Sequence, residues 1–389
     1  MQYRPLGKTG RQVSALGFGC MRLPTDPPVR SAADIFDPER VIDEEQAVRM
    51  IRQAVERGVN YFDTAYPYHA GRSEPLLGRA VKHCRGDVLL ATKLPTWLVF
   101  SPDDCDRFLD QQLARLDTSW VDVYLLHSLN RERWPRIREL KMLQFLERIV
   151  SDGRARHVGF SFHDDIGLFR EVMDAFPWDV AQIQLNYLDR QFQAGLAGMT
   201  YAAERGLGVV VMEPLRGGKL TDAIPPAVRR LWNMAPVKRT PAEWALRWVW
   251  NHPEVSTVLS GMNNLAQLEE NLDLADQATP PVLQPEELAL VDMVSDYYRN
   301  LQQIECTSCA YCMPCPHGVN IPLNFSLYND TFMFADSSMA YRLYNQLLSP
   351  EQKASNCQAC GACLEHCPQG IEIIRQLKAV HERLGRTND

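Results

Sequence analysis

Glu45-Gln-Ala-Val-Arg-Met-Ile-Arg-Gln-Ala-Val-Glu-Arg-Gly58-Val-Asn-Tyr-Phe-Asp63 holds the unit from which most of this chain is built. Ala47, Val48, Ile51, Ala54 and Val55 recur at helical spacing on one face, Gly58 ends the helix, and Val59–Asp63 is a short apolar run. The same alternation recurs on both sides of it. Leu16–Cys20, Val88–Lys93, Val121–His127, His157–Ser161, Val180–Gln184, Gly208–Met212 and Val255–Leu259 read as strands. Asp103–Arg115, Ile137–Ser151, Ile166–Ala175 and Leu265–Ala275 read as amphipathic helices. Strands apolar on both faces and joined by helical crossovers form a parallel sheet. Eight such units over about 250 residues have the size of a closed (β/α)8 TIM barrel. A doubly wound sheet is the rival, but Gly17-Phe-Gly19-Cys-Met-Arg22 lacks the third glycine of a dinucleotide turn.

Upstream of the first strand, Gly7-Lys-Thr-Gly10 predicts a hairpin within Gln2–Val13 that plugs the barrel bottom. Downstream, Glu286–Arg299 predicts one further helix, and the composition changes at Ile304. The expected domains are a barrel over 1–298 and, because eight cysteines fall in two tight runs between Cys306 and Cys367, a small, mostly α-helical, ferredoxin-like iron–sulfur domain over 299–389. The 389 residues are 46% hydrophobic and 23% charged, as in ordinary soluble globular proteins. A formal net charge of −7 argues against nucleic acid as a partner. Arg131, Arg133, Arg136, Arg138 and Lys141 are interleaved with Glu132 and Glu139 and read as a solvated helix start. No apolar run has the length of a membrane span, and a cytoplasmic location is expected.

The carboxyl-terminal region carries eight cysteines in two runs. Cys357, Cys360, Cys363 and Cys367, followed by Pro368, have the C-x2-C-x2-C-x3-C-P spacing of bacterial ferredoxins. Cys306, Cys309, Cys312 and Cys315, followed by Pro316, have the same form with one residue fewer before the last cysteine. Three closely spaced thiolates can wrap one [4Fe–4S] cluster while the fourth reaches over to its neighbour. On that logic Cys306, Cys309, Cys312 and Cys367 hold one cluster, and Cys357, Cys360, Cys363 and Cys315 hold the second. The competing reading is a pair of four-thiolate zinc sites, which these triple runs fit poorly. Thiols this dense, with no secretory signal, point to a reducing compartment rather than to disulfides. Phe325, Tyr328, Phe332, Phe334, Tyr341, Leu343, Tyr344 and Leu347, between the runs, are expected to pack around the clusters. Cys20, Cys84 and Cys105 read as buried thiols.

In a barrel, catalytic side chains stand at the carboxyl ends of strands. Those positions give Asp63, Lys93 and His127, with Tyr68 in the loop after Asp63. Reducing a carbonyl with a hydride leaves an alkoxide that needs a proton. A tyrosine can give it, although a phenol's ordinary pKa near 10 makes it a reluctant acid–base group at neutral pH. An adjacent ammonium favours the phenolate, and a carboxylate holds the ammonium in place. Lys93 and Asp63 fill those roles, while His127 orients the carbonyl. Cys20, Met21, Trp97, Leu129 and Trp134 are expected near the substrate.

These stretches resemble the aldo-keto reductases: Phe62-Asp63-Thr-Ala-Tyr-Pro-Tyr68-His-Ala-Gly71-Arg-Ser73-Glu74, Ala91-Thr-Lys93, Val121-Asp-Val-Tyr-Leu-Leu-His127 and Val158-Gly159-Phe-Ser161. A subgroup with a carboxyl-terminal two-cluster domain looks similar over the full length. The resemblance implies an NADPH- or NADH-dependent oxidoreductase acting on a small carbonyl-type substrate, with a lean to NADPH. It implies Ser161 and Gln184 at the nicotinamide carboxamide, where Phe162 replaces the asparagine many members carry. It places Met212, Pro214, Leu215, Gly217 and Gly218 along the pyrophosphate, and Gly261, Asn263, Gln267 and Asn271 at the adenosine end. The lysine and arginine that often read a 2′-phosphate near Gly261 and Gln267 are not present. Each cluster moves one electron whereas a nicotinamide moves two as hydride, so a ferredoxin-like electron partner or an unusual substrate is expected. The alternative is an iron–sulfur electron carrier or redox sensor with the barrel as a scaffold.

Overall fold

The computed structural model describes residues 1–28, 40–306, 311–367 and 369–385. Cys309 and Pro368 lie outside the described residues. The chain opens with an antiparallel hairpin, β1 (Tyr3–Pro5) and β2 (Gln12–Ser14). Next come β3 (Leu16–Gly19) and a short antiparallel pair, β4 (Thr25–Asp26) with β5 (Val41–Ile42). The remaining strands are β6 (Tyr61–Asp63), β7 (Leu89–Leu94), β8 (Val121–Leu129), β9 (Ala155–Phe162), β10 (Val180–Gln184), β11 (Gly208–Met212) and β12 (Val255–Ser260). Eight of them close into a barrel in the order β10-β11-β12-β3-β6-β7-β8-β9, every pairing parallel. The (β/α)8 reading holds and the doubly wound sheet does not.

Every residue of β7 and β12 is buried, as strands flanked by helices on one face and the barrel interior on the other must be. The helices are α1 (Glu44–Glu56), α2 (Ser73–Val81), α3 (Pro102–Arg115), α4 (Arg133–Glu139), α5 (Met142–Ser151), α6 (Ile166–Asp174), α7 (Gly195–Glu204), α8 (Pro226–Trp232), α9 (Pro241–Trp250), α10 (Leu265–Ala275) and α11 (Pro285–Asn300). Asp43 caps α1 by accepting from the Gln46 amide, which places the helix start one residue before the expected Glu45. The expected single helix over Ile137–Ser151 is two helices. Lys141 adopts a left-handed conformation at φ 55°, which turns the chain. Met142, Phe145, Leu146 and Ile149 then form a buried stripe of their own on α5.

The hairpin does plug the barrel. Leu6 and Val13 join Tyr61, Leu89, Val123, Val180 and Val210 in one buried cluster. Gly7, at φ 52°, makes that possible: a Cβ there would stand 2.3 Å from the Gly208 backbone nitrogen.

The chain packs as two compact units. One comprises residues 1–28, 40–215 and 243–284, and holds the barrel strands. The other comprises residues 216–242 and the described residues from 285 onward. The loop after β11 and helix α11 thus pack with the cysteine-bearing segment, although both precede it in sequence. Three further helices shape that unit: α12 (Ile321–Met333), α13 (Ser338–Arg342) and α14 (Ile373–Leu384). Its core joins Ile304, Val319, Ile321, Phe325, Leu327, Tyr344, Leu348, Ile373, Leu377 and Val380. Three of the expected packing residues stand outside this core: Phe332, which meets Tyr328 with ring centroids 5.0 Å apart, Phe334 and Leu347. Phe334 stacks on Tyr298, with ring centroids 5.4 Å apart, and Leu347 is 54% exposed at the end of a one-turn π-helix. No described helix is long and apolar enough to cross a membrane.

Candidate functional site

The parallel register of the barrel brings three of the four rim residues together. Asp63 ends β6 and pairs with Ala91 of β7, so Lys93 lies two residues further along the neighbouring strand, pointing to the same face. Lys93 is fully buried, and its ammonium donates to Asp63 Oδ1 at 2.6 Å and to the Thr64 carbonyl at 2.8 Å. It also stands 3.5 Å from the Tyr68 hydroxyl. The His127 ring meets Tyr68 edge-on at 6.0 Å, and Trp97 stands 5.1 Å from His127 on another side.

Burial and charge set the proton affinities here. Burial alone would depress Lys93, but Asp63 and Tyr68 outweigh it and the net shift is upward, keeping the ammonium charged. Burial raises the Asp63 carboxyl, with Lys93 opposing. The Tyr68 phenol is also raised: burial exceeds the lowering by Lys93, so the net direction is opposite to the sequence expectation. His127 is pushed well below the usual histidine range, by burial first and then by Lys93, His163 and Arg133. It is a neutral imidazole at pH 7, and its buried Nδ1 has no hydrogen-bond partner among the described residues.

A polar network under the rim was invisible in the sequence. Glu74 Oε1 accepts from Thr92 Oγ1 and Gln112 Nε2, both at 2.7 Å, and Arg115 pairs with Oε2 at 3.2 Å. Gln112 also donates to the Lys93 carbonyl at 3.1 Å and accepts from the Tyr124 hydroxyl at 2.7 Å. Thus α2 and α3 clamp the strand that carries Lys93. The only available signal was a glutamate and a glutamine on otherwise apolar helix faces.

The residues expected at the dinucleotide fall into three groups. Ser161 is buried and its Oγ accepts from the Ser128 amide at 2.7 Å, while Gln184 donates to Asp189 at 3.0 Å. Phe162 packs against Phe160 and Phe169, so it turns to the core rather than standing in for an asparagine amide. Met212 ends β11, Pro214 is buried and Leu215 is partly exposed. Gly217 and Gly218 have φ of 69° and 89°, backbone that suits glycine and turns amides outward, but they belong to the other compact unit. Near β12, Gly261 is exposed, the Asn263 amide donates to Gln267 Oε1 at 3.0 Å, and Asn271 is buried with its amide on Ser260 Oγ at 2.9 Å. Arg22, which the sequence reading left unassigned, links two of these segments. It pairs with Glu213 at 3.5 Å and lies along Gly261, where a Cβ would be 3.0 Å from its side chain.

Of the residues expected to line a substrate pocket, Cys20 is buried beside the rim, and its thiol is raised by burial, then by Asp63, against Lys93. Trp97 lines the rim and Met21 is partly exposed. Leu129 is fully buried in β8, and Trp134 is buried with its indole donating to Glu171 at 2.8 Å, so both serve packing. Cys84 and Cys105 are buried as expected. The basic stretch is not simply solvated: Arg131 pairs with Asp165 at 2.5 Å and Arg136 donates to the Val99 carbonyl at 2.6 Å.

In the second unit, Cys306, Cys312, Cys315, Cys357, Cys363 and Cys367 all pack against its apolar core, while Cys360 is exposed. Burial raises the Cys363 thiol, and charge on Cys357, Cys315 and Cys360 adds to it, so Cys315 is near the second run although it ends the first. Among the described residues, no three His, Cys, Asp or Glu side chains converge tightly enough to hold a single metal ion. Two buried asparagines of α12 hold the approaches to the cysteine runs. Asn329 accepts from the Gln303 and Ile304 amides and donates to the Ile304 carbonyl, just before Cys306. Asn324 donates to the Gln352 carbonyl and accepts from the Ala354 amide, just before Cys357. The next position, Asp330, pairs with Arg216 at 3.2 Å and Lys219 at 2.5 Å from the glycine-bearing loop.

A model of the Aldo/keto reductase family matches residues 15–295, and a model of a 4Fe-4S dicluster domain matches residues 305–372. L-galactose dehydrogenase of Arabidopsis thaliana is 27% identical over 326 residues, covering 77% of this chain and 96% of that protein. A putative voltage-gated potassium channel subunit beta of Schizosaccharomyces pombe is 26% identical, covering 72% and 91%. The holo form of the aldo-keto reductase AKR11C1 from Bacillus halodurans superposes with a TM-score of 0.61 at 26% identity, over 76% of this chain and 96% of that one. The chain belongs to the aldo/keto reductase family, and its barrel is followed in sequence by a 4Fe-4S dicluster domain.

Proposed function

We propose that the protein is a cytoplasmic NAD(P)H-dependent reductase of small carbonyl compounds, with a barrel domain over 1–298 and an electron-transferring domain over 299–389. The observation that carries this reading is the fully buried Lys93 ammonium, 2.6 Å from Asp63 and 3.5 Å from the Tyr68 hydroxyl. A bound nicotinamide would supply the hydride. Because burial raises its phenol, Tyr68 is protonated at neutral pH and can give its proton to the oxygen that the hydride leaves negative. Lys93 then stabilises the phenolate, and Asp63 keeps Lys93 in place and charged. His127, neutral at pH 7, donates a hydrogen bond to the carbonyl oxygen and turns it toward Tyr68.

Ser161 and Gln184 would hold the carboxamide, Met212, Pro214 and Leu215 the pyrophosphate, and Gly261, Asn263 and Gln267 the adenosine end. Asn271, whose amide is engaged by Ser260, supports that end from below. Crossed ligation, with Cys306, Cys309, Cys312 and Cys367 on one cluster and Cys357, Cys360, Cys363 and Cys315 on the other, is supported by the nearness of Cys315 to Cys363. Clusters held by these cysteines would supply single-electron chemistry, with a ferredoxin-like protein as the electron partner. The test is anaerobic turnover of NADPH against a carbonyl panel, with Tyr68→Phe as the control. Unchanged turnover in that variant would refute the assignment.

A further inference from the structure

Arg133 stands at the rim, and the carboxylate whose charge reaches it, its exposed chain neighbour Glu132, forms no ion pair with it. Its Nη1 donates to the Ser128 carbonyl at 2.8 Å, one residue beyond His127. Its guanidinium lies 5.0 Å from the centre of the Trp97 ring, whose own centre is 5.1 Å from His127. The other arginines of this stretch differ: Arg136 donates to the Val99 carbonyl at 2.6 Å, and two more meet carboxylates. Arg131 pairs with Asp165, and Arg138 lies 3.9 Å from Glu171. Arg133 makes no ion pair among the described residues, and its half-buried charge is one of the influences that hold His127 neutral. A guanidinium has five donors in a planar fork, and here a single backbone carbonyl takes one of them. Water competes weakly for a half-buried cation, so the remaining donors are a ready seat for a planar anion.

We propose that Arg133 binds a carboxylate carried by the substrate, making the preferred substrates small oxo-acids with an apolar spacer that lies along Trp97. This rests on the rim being a carbonyl-reducing site, and it names the substrate class of that site. The carbonyl at Tyr68 and His127 and the carboxylate at Arg133 then lie on either side of the Trp97 ring centre, which is 5.1 Å from the His127 ring and 5.0 Å from the Arg133 guanidinium.

The holoenzyme is assayed with two matched pairs, 4-carboxybenzaldehyde against its methyl ester and succinic semialdehyde against its methyl ester. The wild type is expected to prefer the acid in at least one pair. Arg133→Gln should then lower kcat/KM for that acid by about 10- to 100-fold, nearly all in KM, since a charge-assisted hydrogen bond is lost. The ester should change by less than about threefold, and Arg133→Lys should restore part of the loss. A structural role would lower acid and ester together, and that result, or a wild type preferring the ester in both pairs, overturns the proposal. If the wild type turns over neither member of either pair, the hydride-transfer reading fails separately. Calorimetry with benzoate and benzamide then decides the anion seat. Benzoate binding that vanishes in Arg133→Gln upholds it, and no benzoate binding by the wild type removes it.

Discussion

The barrel rim and the cysteine-bearing unit solve the same problem, holding reactive side chains at fixed spacing, by different means. At the rim, spacing comes from strand register. Asp63 and Lys93 face each other because β6 and β7 pair as they do, and the Glu74–Gln112–Thr92 network underneath locks that register. In the second unit, Cys312 and Cys363 sit in turns and the other five described cysteines in irregular backbone, none of them in a strand or helix. Their approaches are held by Asn324 and Asn329 and by a modest apolar core. The rim is therefore preorganised by the polypeptide, whereas the cysteine loops depend on what they bind.

The largest expected effect bears on the rim alone. Tyr68→Phe should reduce kcat for carbonyl reduction by about 100- to 10,000-fold while leaving the cluster spectrum unchanged. Coupled loss of both signals would mean that the two regions are not independent. The converse test removes the metal. Anaerobic chelation should lower the helical circular dichroism of the second unit and leave dinucleotide binding to the barrel within about threefold of its starting value. Melting of both together would erase the contrast.

A smaller effect sharpens the account of the cysteine loops. Asn329→Ala deletes three hydrogen bonds to the segment before Cys306, and should destabilise the second unit by about 2–3 kcal/mol in urea unfolding. It should leave the KM for a carbonyl substrate unaltered. A change in KM without a change in stability would show that Asn329 acts elsewhere.

The smallest expected effect is a pH dependence at the rim side. His69 accepts a hydrogen bond at Nε2 from the Leu23 amide, and burial pushes its pKa down to about 4. The unfolded chain protonates this imidazole near pH 6.5, before the folded chain does. The stability His69 contributes is thus present above about pH 6.5 and lost as pH falls toward about 4. His69→Gln should flatten that part of the stability profile, measured as the urea midpoint between pH 7 and pH 4. An unchanged slope would assign the effect to other groups, His127 first.

Much of the molecule was legible in the residues alone. Alternation of apolar runs with amphipathic helices required a parallel sheet with helical crossovers, and eight units without a dinucleotide glycine turn favoured the barrel over a doubly wound sheet. The order of Asp63, Tyr68, Lys93 and His127 along successive strand ends placed the rim chemistry, and the two cysteine runs marked the second unit. These are short-range patterns, and period and spacing encode them directly. What escaped was set by contacts between residues far apart in the chain. Helix α4 parts from α5 at a left-handed Lys141, which no propensity signals. The loop after β11 packs with α12 through Asp330, more than a hundred residues away. The net upward shift of Tyr68 needed the balance of burial against Lys93, which depends on how much protein surrounds the hydroxyl. Arg133 shows the division most plainly. Sequence places it in a mixed charged stretch, and only packing shows which of that stretch's arginines found a carboxylate and which was left facing Trp97. Local pattern chose the elements and the reactive residue types, while long-range packing chose their partners, their protonation and their openness to a ligand.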